Sequence, residues 1–167
     1  MTFWNLALAA GVLILAPIQV LAAPAEFKIW AMEAHTEGRD APHFDAGLEE
    51  IRDAVKALKF DTYLKLKTDV HQFKDDKEYR SPINDLYSLS ASAPVADKDG
   101  RFRMQIRINM ASKKAPGGEI EALDTELLLP PGKKVLVRGL KLGVGKELVV
   151  VLSLSIPNTP PGGTPQK

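Results

Sequence analysis

RFRMQIRINM, residues 101–110, alternates between polar and apolar side chains with almost no error. Phe102, Met104, Ile106, Ile108 and Met110 share one parity, while Arg101, Arg103, Gln105, Arg107 and Asn109 share the other. Successive side chains of a strand point to opposite faces, so this stretch reads as a β-strand with one dry and one wet face. The loop ASKKAPGG leads from it into EIEALDTELLL (119–129), a second strand. On-paper pairing sets Phe102 against Leu127, Met104 against Thr125 and Ile106 against Leu123. The same register brings Arg103 opposite Glu126 and Gln105 opposite Asp124, and such cross-strand pairs finish a solvated sheet face. Ile108 then meets Glu121, which predicts a bulge near Ala122, where the apolar parity switches.

The neighbouring segments extend this sheet. Asp99-Gly100 is a hairpin signal that joins residues 101–110 to a shorter strand near 86–93 (LYSLSASA). KKVLVRGLKL and ELVVVLSLSI (residues 133–142 and 147–156) form a hairpin through GVGK, with Leu142 against Leu148 and Leu140 against Val150. Arg138 falls on the apolar face in that register, and Gly139 beside it marks a candidate bulge. Upstream, EFKIWAMEA (26–34) reads as a strand apolar on both faces, and FDTYLKLKTDV (60–70) as another. Between them Phe44, Leu48, Ile51, Val55 and Leu58 recur at helical spacing, with Asp45 as an N-cap and Glu49 and Glu50 in the first turn. Strand, helix and strand predict a βαβ unit. HQFKDDKEYRSPIND reads as a charged excursion. The expected fold class is therefore α+β: one amphipathic helix packed on a mostly antiparallel sheet of six or seven strands. A βαβ start is followed by β-hairpins, with the sheet either open or curled into a small sandwich or half-barrel.

The chain opens MTFWNLALAAGVLILAPIQVLAAPAEF. Leu6 to Ala16 is an uninterrupted apolar run followed by small residues, the pattern of a signal peptide cleaved after Ala22, although no Lys or Arg precedes the run. The alternative is retention as an N-terminal membrane anchor, since residues 6–25 are long enough to span a bilayer. The expected organisation is a signal peptide over 1–22, a single α+β domain over 23–156, and a disordered Pro/Gly-rich tail over 157–167. Export to the periplasm or beyond removes access to ATP, nicotinamide cofactors and chromosomal DNA.

The mature length of about 145 residues supports a core without staples. The chain has no cysteine, which excludes disulfides, thiol nucleophiles, thiolate zinc sites and iron–sulfur clusters. A net charge of +1 argues against nucleic-acid binding. Charge is nonetheless segregated. Residues 26–58 hold four basic and eight acidic side chains, and residues 101–147 hold ten basic and five acidic. An acidic helical region matched to a basic sheet is the simplest reading.

Two groups of residues are candidate sites. Arg101, Arg103 and Arg107, with Lys133 and Lys134 in a nearby loop, form a basic surface suited to an anionic ligand or an acidic partner. It has no interleaved aromatics for base stacking. EAHTEGRDAPHFD (33–45) gathers His35, His43, Glu37 and Asp40, donor types that bind zinc or another divalent ion. Trp30, Tyr63, Tyr79 and Tyr87 are expected in the core, with a sugar-binding cleft as the alternative. The chain contains no G-x-S-x-G, S-x-x-K, H-E-x-x-H or P-loop motif. No cofactor is expected. The functional expectation is an exported, non-catalytic binding or assembly module that engages another envelope or secreted macromolecule through strand edges and a basic sheet face. The alternatives are a carrier of a small apolar or anionic ligand between helix and sheet, and a metal-dependent hydrolase using the 33–45 loop.

Overall fold

Residues 102–110 form the middle of a sheet, and the layer that covers their apolar face is a second sheet. The computed structural model describes residues 25–74 and 76–156; the signal-peptide and tail readings fall outside these residues. Ten strands follow one another: β1 (Ala25–His35), β2 (His43–Phe44), β3 (Thr62–Phe73), β4 (Glu78–Pro82), β5 (Tyr87–Ser92), β6 (Val95–Ala96), β7 (Phe102–Ala111), β8 (Glu119–Leu129), β9 (Lys134–Gly143) and β10 (Lys146–Ser155). One sheet has the order β2-β3-β1-β10-β9. The other runs β4-β5-β7, with β6 continuing the β5 side of β7 and β8 on the opposite side.

The core lies between the two sheets. Phe27, Ile29 and Ala31 from β1 and Leu148, Val150, Leu152 and Leu154 from β10 meet Leu89, Ala91, Met104, Ile106 and Ile108 from the other layer. Removing such side chains from water stabilises the fold by about 1.5–3 kcal/mol each. The Tyr87 hydroxyl donates to the Lys141 carbonyl at 2.8 Å and ties the layers together at one end.

The α+β expectation is overturned. Among the described residues the chain is mostly β, with two sheets of five strands and one short α-helix. The βαβ unit fails with it, because β1 and β3 are antiparallel neighbours. A parallel crossover must carry the chain back along the strand length, and an 11-residue strand spans roughly 36 Å. Helix α1 covers only Arg52–Val55, about 6 Å at the helical rise. Gly47, at φ +88°, and the pairing of Phe44 with Tyr63 keep the start of the predicted helical run out of the helix. Asp45 does not cap; its carboxylate accepts the Lys65 amide at 2.8 Å. The predicted apolar stripe survives in another form. Leu48, Ile51 and Val55 are fully buried against Trp30, Met32, Tyr63, Val149 and Val151 on the outer face of the β1–β10 sheet. The middle of that sheet is thus dry on both faces, so β10 is buried from Leu148 to Leu154 without alternation.

The on-paper register of β7 with β8 has the right parity but is displaced by two residues. Phe102 opposes Leu129, Met104 opposes Leu127 and Ile108 opposes Leu123. Asn109 then opposes Glu121, which leaves Ala122 as the bulged residue. The expected Leu142–Leu148 and Leu140–Val150 pairs do not form: Leu140 opposes Leu148 and Val137 opposes Val150, and Gly139, at φ +94°, lies in the bulge between these two pairs. The bulge turns Arg138 to solvent, within 3.7 Å of Glu147. Strand β4, hidden in the charged excursion, was not anticipated.

Ile106 is fully buried in the centre of this interlayer core. Ile106→Ala is expected to destabilise the protein by about 2–5 kcal/mol in chemical denaturation, the usual cost of a large core truncation. Val144→Ala, at a fully exposed hairpin tip, leaves the midpoint unchanged. Equal effects at the two positions contradict the two-layer packing.

Candidate functional site

The arginine face carries its own counter-charges. Arg103 Nε lies 3.4 Å from Glu126, diagonally across the β7–β8 ladder, and Arg107 Nε lies 3.2 Å from Asp124. Gln105 also donates to Asp124. This bond and then Arg107 hold the Asp124 carboxyl below its ordinary range. Arg101 folds back onto its own turn, with Nη2 2.8 Å from Asp97 and 3.0 Å from Asp99. From β4, Arg80 reaches Glu119 at 2.6 Å. The arginine ends of these pairs are well exposed, so solvent screens them strongly. Lys133 and Lys134 are exposed at the β8–β9 turn, near Arg101 rather than along the arginine row. The five basic residues expected to form one surface therefore separate into a neutralised row and a turn.

Beside that row the sandwich has an open side. β8 pairs only with β7, and β9 only with β10 among the described residues. A turn over residues 130–133 joins the two edge strands, so both end their sheets on the same side of the sandwich. Their inward aliphatics, Leu123 and Leu127 from β8 and Val135, Leu140 and Leu142 from β9, are only partly covered by the core. Ile120 and Leu128 are more than two-fifths exposed. Unpaired backbone groups along a long strand above uncovered aliphatics are what an incoming strand requires. Sequence reading named strand edges in general, but it could not identify these two, because edge status depends on sheet order.

The 33–45 segment is held by ion pairs and hydrogen bonds, some of them from Lys146 and Asp61 outside it. His35 is nearly buried on β1, with Nε2 3.0 Å from Glu37 and Nδ1 3.2 Å from Glu33. Lys146 Nζ lies 2.7 Å from the same Glu33 oxygen. Glu37 also receives Arg39 at 2.6 Å, and its carboxyl lies below the ordinary range, through His35 first and Arg39 second. His43 is on the far side of β3 from His35, both being level with Thr62, and it faces Asp45 at 3.5 Å. Asp40 is exposed and makes no ion pair among the described residues. The structure thus joins His35 to Glu37 and leaves His43 and Asp40 apart. No group of three or more His, Asp or Glu side chains among the described residues is arranged to hold a metal. Trp30, Tyr63, Tyr79 and Tyr87 are all buried. His71, at the start of the charged excursion, packs against Phe73 and Tyr79, with Asp76 at 3.5 Å.

Two features had no clear sequence signal. Asp61 accepts the backbone N–H groups of Glu37, Gly38 and Arg39 at 2.8–2.9 Å and so pins the loop. A lone aspartate before a strand gives no hint of this role. A shallow groove of about 930 Å³ also opens where Phe60, after the helical segment, faces the β9–β10 hairpin. Lys141, Leu142, Val144, Lys146 and Glu147 line it together with glycines of the hairpin.

No protein-family model matches this chain, and no curated protein is similar to it.

The loop anchor has a defined pH signature. Backbone donation, first from Glu37, lowers the Asp61 carboxyl from its ordinary 3.8 to about 2. A depressed carboxyl contributes stability that is present above the unfolded value and lost as pH falls through the folded one. The gap in melting temperature between the native chain and Asp61→Asn is therefore expected to persist at pH 7 and to close between pH 4 and 2. A gap that is unchanged at pH 2 contradicts the role given to the carboxylate.

Proposed function

We propose that this chain is an exported, non-catalytic β-sandwich module that works by strand-edge contact with another envelope or secreted macromolecule. One observation carries this reading: the long edge strands β8 and β9 stack on one side of the sandwich above half-covered Leu123, Leu127, Val135, Leu140 and Leu142. A partner strand added there gains main-chain hydrogen bonds and buries those aliphatics together. The apolar run and small-residue pattern of residues 1–22 support export. The pairing of Arg101, Arg103 and Arg107 with carboxylates moves the contact surface from the basic face to the edge beside it.

Photo-crosslinkers placed in the full chain at Ile120 on β8 and at Val70 on β3 test this in cells. Both positions are exposed, and they lie on opposite sides of the sandwich. A discrete adduct is expected from Ile120 and none from Val70. Adducts from neither position, or equally from both, contradict the edge reading.

The groove beside Phe60 favours a second reading, a carrier of a small molecule with an apolar body and an anionic head. Phe60, Leu142 and Val144 would take the apolar part and Lys141 the charge, while Lys146 is engaged by Glu33 and Glu147 also lines the groove. Titration with dodecanoate, followed by NMR, is expected to shift the Phe60, Leu142 and Val144 signals before any others. Shifts spread evenly over the chain contradict it.

A further inference from the structure

We propose that the partner at the β8–β9 side is a second copy of this chain, joined through a two-fold axis that runs parallel to the strands. This inference rests on the edge-contact reading above and names its occupant. The first argument is geometric. β8 ends one sheet and β9 ends the other, both on the same side, and the two strands run in opposite directions because a short turn joins them. Rotating one copy by 180° about an axis along the strands exchanges its upper and lower layers and preserves strand direction. β8 of one copy then meets β9 of the other in the antiparallel sense, and the reciprocal pair forms at the same time. Both sheets continue through a closed, self-complementary contact.

Charge selects the same arrangement. β8, EIEALDTELLL, carries Glu119, Glu121, Asp124 and Glu126 and no basic residue. β9, KVLVRGLKLG, carries Lys134, Arg138 and Lys141 and no acidic residue. Pairing β8 with β8, or β9 with β9, sets like charges across the new ladder, whereas β8 with β9 sets opposite ones. Part of this charge is already engaged: Glu119 with Arg80, Asp124 with Arg107, Glu126 with Arg103, and Arg138 with Glu147. Glu121, Lys134 and Lys141 have no ion pair among the described residues. The axis also leaves every residue at its own height along the sandwich. Glu121 lies eight residues before Leu129, and Lys141 lies seven residues after Lys134, where the same turn opens β9. Glu121 of one copy is therefore level with Lys141 of the other.

Packing supplies the third argument. Leu123 and Leu127 from β8, with Val135, Leu140 and Leu142 from β9, line the open side of each copy. The two-fold places the two open sides together, so each set covers the other.

Sedimentation equilibrium of the full chain over a concentration series tests the inference. A monomer–dimer equilibrium is expected, weakening as salt is raised. Glu121→Lys and Lys141→Glu are each expected to weaken the dimer at least tenfold, and the double exchange to restore most of the loss. Native unfolding midpoints show that each variant is folded. A chain that stays monomeric overturns the two-fold contact; if Ile120 still forms its adduct with a different protein, the edge-contact reading survives. A dimer indifferent to both exchanges, or not rescued by the double exchange, places the contact elsewhere and also overturns the inference.

Discussion

The packing of one sheet across another is the interaction on which the rest of this molecule depends. β1 and β10 occupy the middle of the β1–β10 sheet, covered on the inside by β5 and β7 and on the outside by the segment containing Leu48, Ile51 and Val55. A strand enclosed on both faces must be apolar at every position, and LVVVL at the centre of β10 meets that requirement. Strands farther from the middle lose this cover progressively. β8 and β9, at the ends of their sheets, keep aliphatic side chains that the core reaches only in part. The open side follows from the same geometry that builds the core.

The wet face of β7 is the counterpart of that dry interior. Its arginines answer to carboxylates on β8, on the 97–101 turn and, from β4, through Arg80 and Glu119. Exposed pairs of this kind contribute little stability. They do offset the charge of Arg101, Arg103 and Arg107, three of the ten basic side chains in residues 101–147. The arginine row is thus neutralised within one sheet face. What remains without an ion pair at the edge, among the described residues, is Glu121 on the acidic strand and Lys134 and Lys141 on the basic one.

Much of the β-structure was legible in sequence because alternation is a local property. The strand at 102–111, its pairing with 119–129, and bulges at Ala122 and Gly139 all follow from parity and from the cost of placing Glu121 or Arg138 in a core. The two-residue register error kept that parity, so the side-chain faces stayed right while the partners changed. The helix misled for a related reason. Helical spacing of Phe44, Leu48, Ile51, Val55 and Leu58 reports only that these residues share a dry side. In a segment interrupted by Gly47, a strand pair, a 3₁₀ turn and one turn of α-helix achieve the same burial. β4 was hidden because Glu78, Arg80 and Pro82 face outward and only Tyr79 and Ser81 point inward. Sheet order, the Asp61 anchor and the Phe60 groove depend on contacts between residues far apart in the chain, which no window of sequence contains.

Residue-resolved amide hydrogen exchange on the dilute full chain tests this account most directly. A two-layer sandwich with an uncovered β8–β9 side predicts the slowest exchange in β1, β7 and β10, and fast exchange at the alternate, outward-facing amides of β8 and β9. Protection in β8 and β9 equal to that of β10, or a continuous protected helix over residues 44–59, contradicts it.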